Sequence, residues 1–150
     1  MKSPRLSYWK ENGEPPLLER TIPSHFKEIA SRFPDNEAVI SLPQNSWLNY
    51  GRLAEEMDLL ARGLLAFGVK KGDRVGIWST NNLQWILLQL ATARIGAILV
   101  NINPSYRISE LAYALKQSQI STLFTIPSFR SGNYQEMLLE LFPGLRNKQR

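Results

Sequence analysis

The stretch Tyr50–Arg107 constrains this chain more than any other, because it runs unbroken as helix, turn, strand, loop, helix, strand and turn. Leu53, Met57, Leu60, Leu64 and Phe67 recur at steps of three and four, which predicts an amphipathic helix with Glu55, Glu56 and Asp58 turned away from the apolar stripe. The acids are expected early, at the positive end of the helix dipole. Gly68 follows the last apolar residue, where a left-handed cap needs a residue without a Cβ. Lys70–Asp73 then reads as a turn, Arg74–Trp78 as a strand and Ser79–Asn82 as a capping loop. The helix predicted over Leu83–Ile95 is apolar on nearly every side, so it is expected to be covered on more than one face. Gly96 ends it, and Ala97–Asn101 is a continuous apolar strand of the kind buried in a parallel sheet. A helix over Ser109–Ser118 and a strand over Ser121–Ile126 complete β-α-β-α-β across residues 74–126. Each crossover is long enough to return the chain in parallel, with right-handed connections. The predicted class is α/β, a partial doubly wound and mostly parallel sheet.

Residues 1–20 are polar and carry Pro4, Pro15 and Pro16, which predicts an extended arm. A short helix is predicted from Pro23 to Phe33, its apolar face made by Phe26, Ile29, Ala30 and Phe33 and its end by Pro34-Asp35-Asn36. Ala38–Ile40 and Trp47–Tyr50 read as two short strands around the turn Pro43-Gln44-Asn45, a hairpin ahead of the long helix. At 150 residues the chain has room for one ordinary domain at most.

The formal charge of +5 is scattered, with Lys70-Lys71 the only basic doublet outside the tail, which suits a solvated surface better than a nucleic-acid face. No nucleic-acid partner is expected. Without cysteine there is neither a disulfide framework nor a thiolate metal site. The start MKSPRLSYWKENGEPP has no apolar core of a leader, and Glu11 and Glu14 argue against a transit segment. The most apolar run, Leu83–Ile102, is interrupted by Gln84, Gln89, Arg94 and Asn101, so no transmembrane segment is predicted. A cytoplasmic protein is the expectation, or a mitochondrial one if a eukaryotic transit segment lies upstream.

Chemistry-bearing residues are few. His25 is the one histidine, no serine stands in a Gly-x-Ser-x-Gly setting, and no carboxylate or imidazole cluster has metal-ligand spacing. No catalytic or metal residue is therefore assigned. Gly72-Asp73-Arg74-Val75-Gly76 lacks the length, lysine and hydroxyl of a phosphate loop and reads as a tight turn. Ser79-Thr80-Asn81-Asn82 sits where strand gives way to helix, the usual ligand position in open α/β sheets, and is also a set of ordinary helix-capping residues. Asn101, Asn103, Tyr106 and Arg107 lie at the next strand's carboxyl end. Either they face a cleft or partner domain, or Asn103-Pro104 makes a turn with Tyr106 packed over it and Arg107 solvated.

These residues, taken in order, resemble the N-terminal part of the adenylate-forming acyl-CoA synthetases, the AMP-binding superfamily. The matching marks begin with the Tyr50–Leu53 helix entry, Ala61-x-Gly63-Leu64, Gly68-Val69 and Lys71-Gly72-Asp73-Arg74-Val75. They continue through Asn82 and Trp85, Ala93-x-x-Gly96-Ala97, Asn103-Pro104-x-Tyr106 and Glu110-Leu111-x-Tyr113-x-Leu115-x-x-Ser118. The run Val100–Arg107 is most similar to the medium-chain fatty acyl-CoA ligase branch. Departures are Gln84, where an acid often precedes the tryptophan, and Asn133-Tyr134, where Asp-Tyr is common; both read as peripheral.

The resemblance implies an enzyme that uses ATP and Mg²⁺ to join a fatty acid to AMP and then passes the acyl group to CoA. It also implies that the phosphate loop, the magnesium motif, the ribose-binding aspartate and the adenylating lysine lie downstream of the matched residues. Residues 21–150 are accordingly expected to be an incomplete AMP-binding domain, cut before the phosphate loop and binding no cofactor alone. Its expected partner is the missing remainder of the enzyme, or a second copy through self-association. Two rival readings remain: a non-catalytic assembly module that completes or competes with a separately encoded remainder, and a generic Rossmann-like nucleotide binder.

Overall fold

The computed structural model of the chain describes residue 13 and residues 17–148. Most of the arm predicted over residues 1–20 falls outside them; its described residues, 13 and 17–20, are exposed. Helix α1 (Ile22–Arg32) starts on Thr21, whose hydroxyl accepts the Ser24 N–H, and carries Pro23 in its first turn. Strands β1 (Glu37–Ser41) and β2 (Ser46–Asn49) pair antiparallel as the predicted hairpin. Tyr50 belongs to the helix that follows rather than to β2, because the Asn49 side chain accepts the Arg52 N–H at 2.8 Å and caps the helix there.

That helix, α2 (Tyr50–Phe67), buries Leu53, Met57, Ala61 and Leu64. Two expectations are corrected. Phe67 is 75% exposed and Leu60 is half-buried, since Ala61 takes the core position between Met57 and Leu64. Nor do the acids sit in the first turn: Arg52 is there, and its guanidinium holds Glu55 and Glu56 one turn on. Gly68 closes the helix at φ +102°, a conformation that costs little only without a Cβ.

Strands β3 (Arg74–Trp78), β4 (Ile98–Ile102) and β5 (Thr122–Thr125) form a parallel sheet in the order β4-β3-β5. Helices α3 (Leu83–Ile95) and α4 (Ile108–Ser118) connect them. Because β3 lies in the middle, the chain steps to one side of it and then to the other, so right-handed crossovers place α3 and α4 on opposite faces. The core divides accordingly. Val75 and Ile77 pack with Leu64, Leu88 and Ala91 under α2 and α3, while Trp78 and Ile102 pack with Leu111, Tyr134 and Met137 on the other face. The doubly wound architecture is therefore present in miniature.

Two further differences follow from this packing. Helix α3 buries only Leu88, Ala91 and Thr92, and Ile86, Leu87 and Leu90 are half-covered among the described residues. Strand β4 is half-exposed as well, with Ile98 and Asn101 open, because its outer edge pairs with no described strand. Beyond β5 a short hairpin, β6 (Ser128–Phe129) with β7 (Gly132–Asn133), leads into α5 (Tyr134–Leu141), which packs on α4.

Candidate functional site

The connections leaving β3 and β4 diverge to opposite faces, which opens a crevice outside the strands' carboxyl ends. The structure has a cavity of about 560 Å³ there, between the loop Ser79–Asn81 with Trp85 and the segment Asn101–Pro104. The two loops singled out in the sequence thus meet at one place. Asn101 pairs with Ile77 across the sheet and so lies on the α3 face, toward Trp85, while Ile102 pairs with Trp78 and is buried on the other face.

Part of this loop serves its own fold. The Asn82 side chain accepts the Trp85 N–H and donates to the Ser79 hydroxyl, each at 2.8 Å. The Ser79 hydroxyl donates to the Thr80 carbonyl, and Asn103 Oδ1 accepts the Ser105 N–H at 2.9 Å. From the distant β1–β2 hairpin, Gln44 Oε1 accepts the Leu83 N–H at 2.7 Å. Two of the leading amides of α3, those of Leu83 and Trp85, are therefore already bonded, which weakens the pull of this helix start on a phosphate. No cation lines the cavity to add to it.

Tyr106 and Arg107 are placed elsewhere. Tyr106 is half-buried against the second core cluster. Arg107 is exposed at the head of α4, where its N–H donates to Glu110 at 3.0 Å and its guanidinium donates to the Ser131 hydroxyl at 3.0 Å. With residues 131–133, Glu136 and Glu140 it borders a separate polar depression of about 560 Å³. The Glu110 carboxyl is held below the usual range by backbone N–H groups, its own first and that of Arg107 next. Of the four candidate residues, Asn101 and Asn103 share the crevice, and Tyr106 and Arg107 do not.

The Asn133-Tyr134 pair reads in the sequence as a peripheral departure, yet Tyr134 is 1% exposed, stacks on Trp78 and donates its hydroxyl hydrogen bond to the Pro104 carbonyl. Trp78 Nε1 donates to the neighbouring Asn103 carbonyl at 3.0 Å. The Asn103-Pro104 turn that walls the cavity is thus held from beneath by two aromatic residues. Burial pushes the Tyr134 hydroxyl pKa up, with the Arg107 charge pulling the other way. Gln84 is exposed and bonded to Gln44.

On the other side of the Ser79–Asn82 loop lies a cleft of about 550 Å³ with mostly apolar walls, among them Leu59, Leu60, Ile77, Leu87, Phe124 and Ile126. It opens beside β5, whose outer edge pairs with no described strand. Behind it, Asp58 ties three helices together, accepting from Lys27 at 2.8 Å and Arg94 at 3.1 Å. Its carboxyl is lowered chiefly by the Lys27 hydrogen bond, against the opposing effect of burial. His25 is half-buried on α1, and its Nδ1 has no hydrogen-bond partner among the described residues. Among the described residues no three His, Asp or Glu side chains come together as a metal-binding group, and no helix is long and apolar enough to cross a membrane.

Known proteins match this arrangement. The medium-chain acyl-CoA ligase ACSF2 of Mus musculus, named mitochondrial, is 40% identical over 144 residues, which are 96% of this chain and 23% of that protein. The chain therefore spans about a quarter of the length of the curated relatives it matches. The N-terminal domain of FACL13 from Mycobacterium tuberculosis superposes with a TM-score of 0.68 at 24% identity, over 70% of this chain and 26% of that one, and so shares the fold. The NpsA N-terminal subdomain of Klebsiella oxytoca, in complex with 3-hydroxyanthranilyl-AMSN, gives a TM-score of 0.66 at 30% identity, over 70% and 26% of the two chains. Residues 26–148 match the family of AMP-binding enzymes, and with that match spanning most of the 150-residue chain, the protein belongs to this family.

Proposed function

We propose that the chain is the N-terminal part of an ATP-dependent fatty acyl-CoA ligase of the medium-chain type, and that it supplies scaffold rather than reacting groups. The observation that carries this reading is the 40% identity to a medium-chain acyl-CoA ligase along 96% of the chain. The longer enzyme joins a fatty acid to AMP, with ATP and Mg²⁺, and then transfers the acyl group to CoA. On this reading residues 21–150 are an incomplete AMP-binding domain, inactive and cofactor-free by themselves. Two features support it: two of the first amides of α3, those of Leu83 and Trp85, are bonded to Gln44 and Asn82, and no phosphate loop occurs in the sequence. The open edge of β5 and the apolar cleft beside it suit a sheet continued by further polypeptide. The location is that of the longer polypeptide, mitochondrial where a transit segment leads it.

A chimera tests the proposal. Residues 26–148 would replace the aligned segment of the mouse ligase, with folding checked by circular dichroism and acyl-CoA formation measured from octanoate, ATP, Mg²⁺ and CoA. Retained thioester formation is expected. A soluble, cooperatively melting chimera that forms no thioester would contradict the reading.

A further inference from the structure

We propose that the amino end of the parallel sheet, opposite the crevice, is a docking surface for an anionic lipid bilayer. Each helix returns the chain to the start of a strand, so α2, α3 and α4 end there and β3, β4 and β5 begin there. The Gly72 N–H donates to the Gly96 carbonyl at 2.9 Å and the Ile98 N–H to the Asp73 carbonyl at 2.8 Å, which holds the turns after α2 and α3 side by side.

Two kinds of side chain are bare at this end. Phe67 is 75% exposed, Leu65 53% and Ile98 49%. Arg62, Lys70, Lys71, Arg74 and Lys116 are exposed with them, and none forms an ion pair among the described residues. Arg74 stands opposite Ile98 in the sheet register, and the Lys71 methylenes run over Gly96. No acid occurs between Asp58 and Asp73. Asp73 itself is half-buried and accepts the Lys70 N–H at 2.8 Å. Cations spread over residues 62–116 of the sequence are thus gathered by the fold.

Cations at helix ends also answer the helix dipole, which accounts for Lys70, Lys71 and Lys116. It does not account for three large apolar side chains bare among them. Apolar side chains rimmed by Lys and Arg are the pattern of a peripheral membrane face: the apolar groups enter the headgroup boundary, and the long cationic side chains reach the lipid phosphates. A protein partner would seat its anchors in pockets, but the three cavities described above are lined by other residues.

The test is flotation of the full chain, and of the folded chimera carrying residues 26–148, with vesicles of phosphatidylcholine alone or with phosphatidylglycerol added. Both proteins should partition onto the anionic vesicles at least about tenfold more strongly than onto the neutral ones, and should be released at about 1 M salt, where the Debye length is only ~3 Å. Phe67→Ala and, separately, Lys70→Gln with Lys71→Gln should each weaken the partition about tenfold in both proteins while melting temperatures stay in place. Phe124→Lys, in the cleft beside β5, should leave the partition unchanged. Four results would each overturn the proposal: no flotation, equal flotation with neutral vesicles, a loss in Phe124→Lys but not in Phe67→Ala, or flotation of the chain but not of the chimera. None of them bears on ligase membership, which thioester formation by the chimera decides separately.

Discussion

The rings of Trp78 and Tyr134 lie face to face, their centroids 3.5 Å apart and their planes 3° from parallel. Ring quadrupoles favour offset or edge-on pairs over such a sandwich, so stacking alone does not account for it. Burial and two hydrogen bonds hold the pair: Trp78 to the Asn103 carbonyl and Tyr134 to the Pro104 carbonyl. Through it, α5 is fastened to the central strand and to the turn beside the crevice.

Tyr134→Phe should keep the ring and lose the bond to Pro104, costing about 0.5–1.5 kcal/mol. Tyr134→Ala should cost about 3–5 kcal/mol, as large aromatic truncations in cores do. Urea denaturation followed by circular dichroism separates them; equal losses would mean that the ring contributes nothing beyond its hydroxyl.

Alkaline pH probes the same residue. Burial raises the folded hydroxyl pKa above its unfolded value, so its contribution is complete below about pH 10 and is lost as pH rises through the folded value. The native chain should lose stability in that range more steeply than Tyr134→Phe. Identical alkaline profiles would disprove the assignment.

Asp58 gives the opposite sign. Its folded pKa is lowered, so the tie to Lys27 and Arg94 is present above the unfolded carboxyl value of about 3.9 and is lost as pH falls through the folded one. All three side chains are more than a third exposed, so Asp58→Asn should cost less than about 1 kcal/mol at neutral pH. Its acid limb should be shallower than the native one in melts recorded between pH 7 and pH 3.

Burial along α2 and α3 predicts an ordering. Leu88→Ala, at a position 1% exposed, should cost about 2–5 kcal/mol. Leu60→Ala should cost less, because Leu60 is half-buried on the wall of the apolar cleft, and Phe67→Ala should stay within about 0.5 kcal/mol. A Phe67 loss as large as that of Leu88 would restore the stripe first read from the sequence.

The cleft and the open edge of β5 should also show in the isolated chain as self-association or strong binding of a hydrophobic dye. Phe124→Lys, at the cleft mouth and 36% exposed, should reduce both without lowering the melting temperature. A monodisperse monomer that binds no dye would contradict an unfinished sheet.

Much of this was legible in the residues. Asn82 and Gly96 bracket α3 as capping chemistry requires, and the alternation of β3 between Ile77 and Trp78 sends the two halves of the core to opposite faces. The errors have local causes. Three- and four-residue steps fit Leu60 and Phe67 as well as Ala61, and periodicity does not reveal that it is small Ala61 that is buried in the cluster shared with Leu88 and Ala91 of α3. The late acids of α2 were misplaced because Asn49 starts the helix before them. Tyr134 follows a two-residue strand with no pattern of its own, and its contacts with Trp78 and Pro104 span long sequence distances. In the crevice, residue types pointed to both loops, but only the strand order β4-β3-β5 brings Asn101 to Trp85 and sends Arg107 away.

The central claim is tested most directly by capturing the native product from its source with an antibody against residues 50–107. Its size would be read and the captured material assayed for acyl-CoA formation from octanoate, ATP, Mg²⁺ and CoA. The account predicts a polypeptide several times longer than 150 residues that forms the thioester only when ATP is present. Captured material of any size that forms none, under conditions where the mouse ligase does, would contradict it.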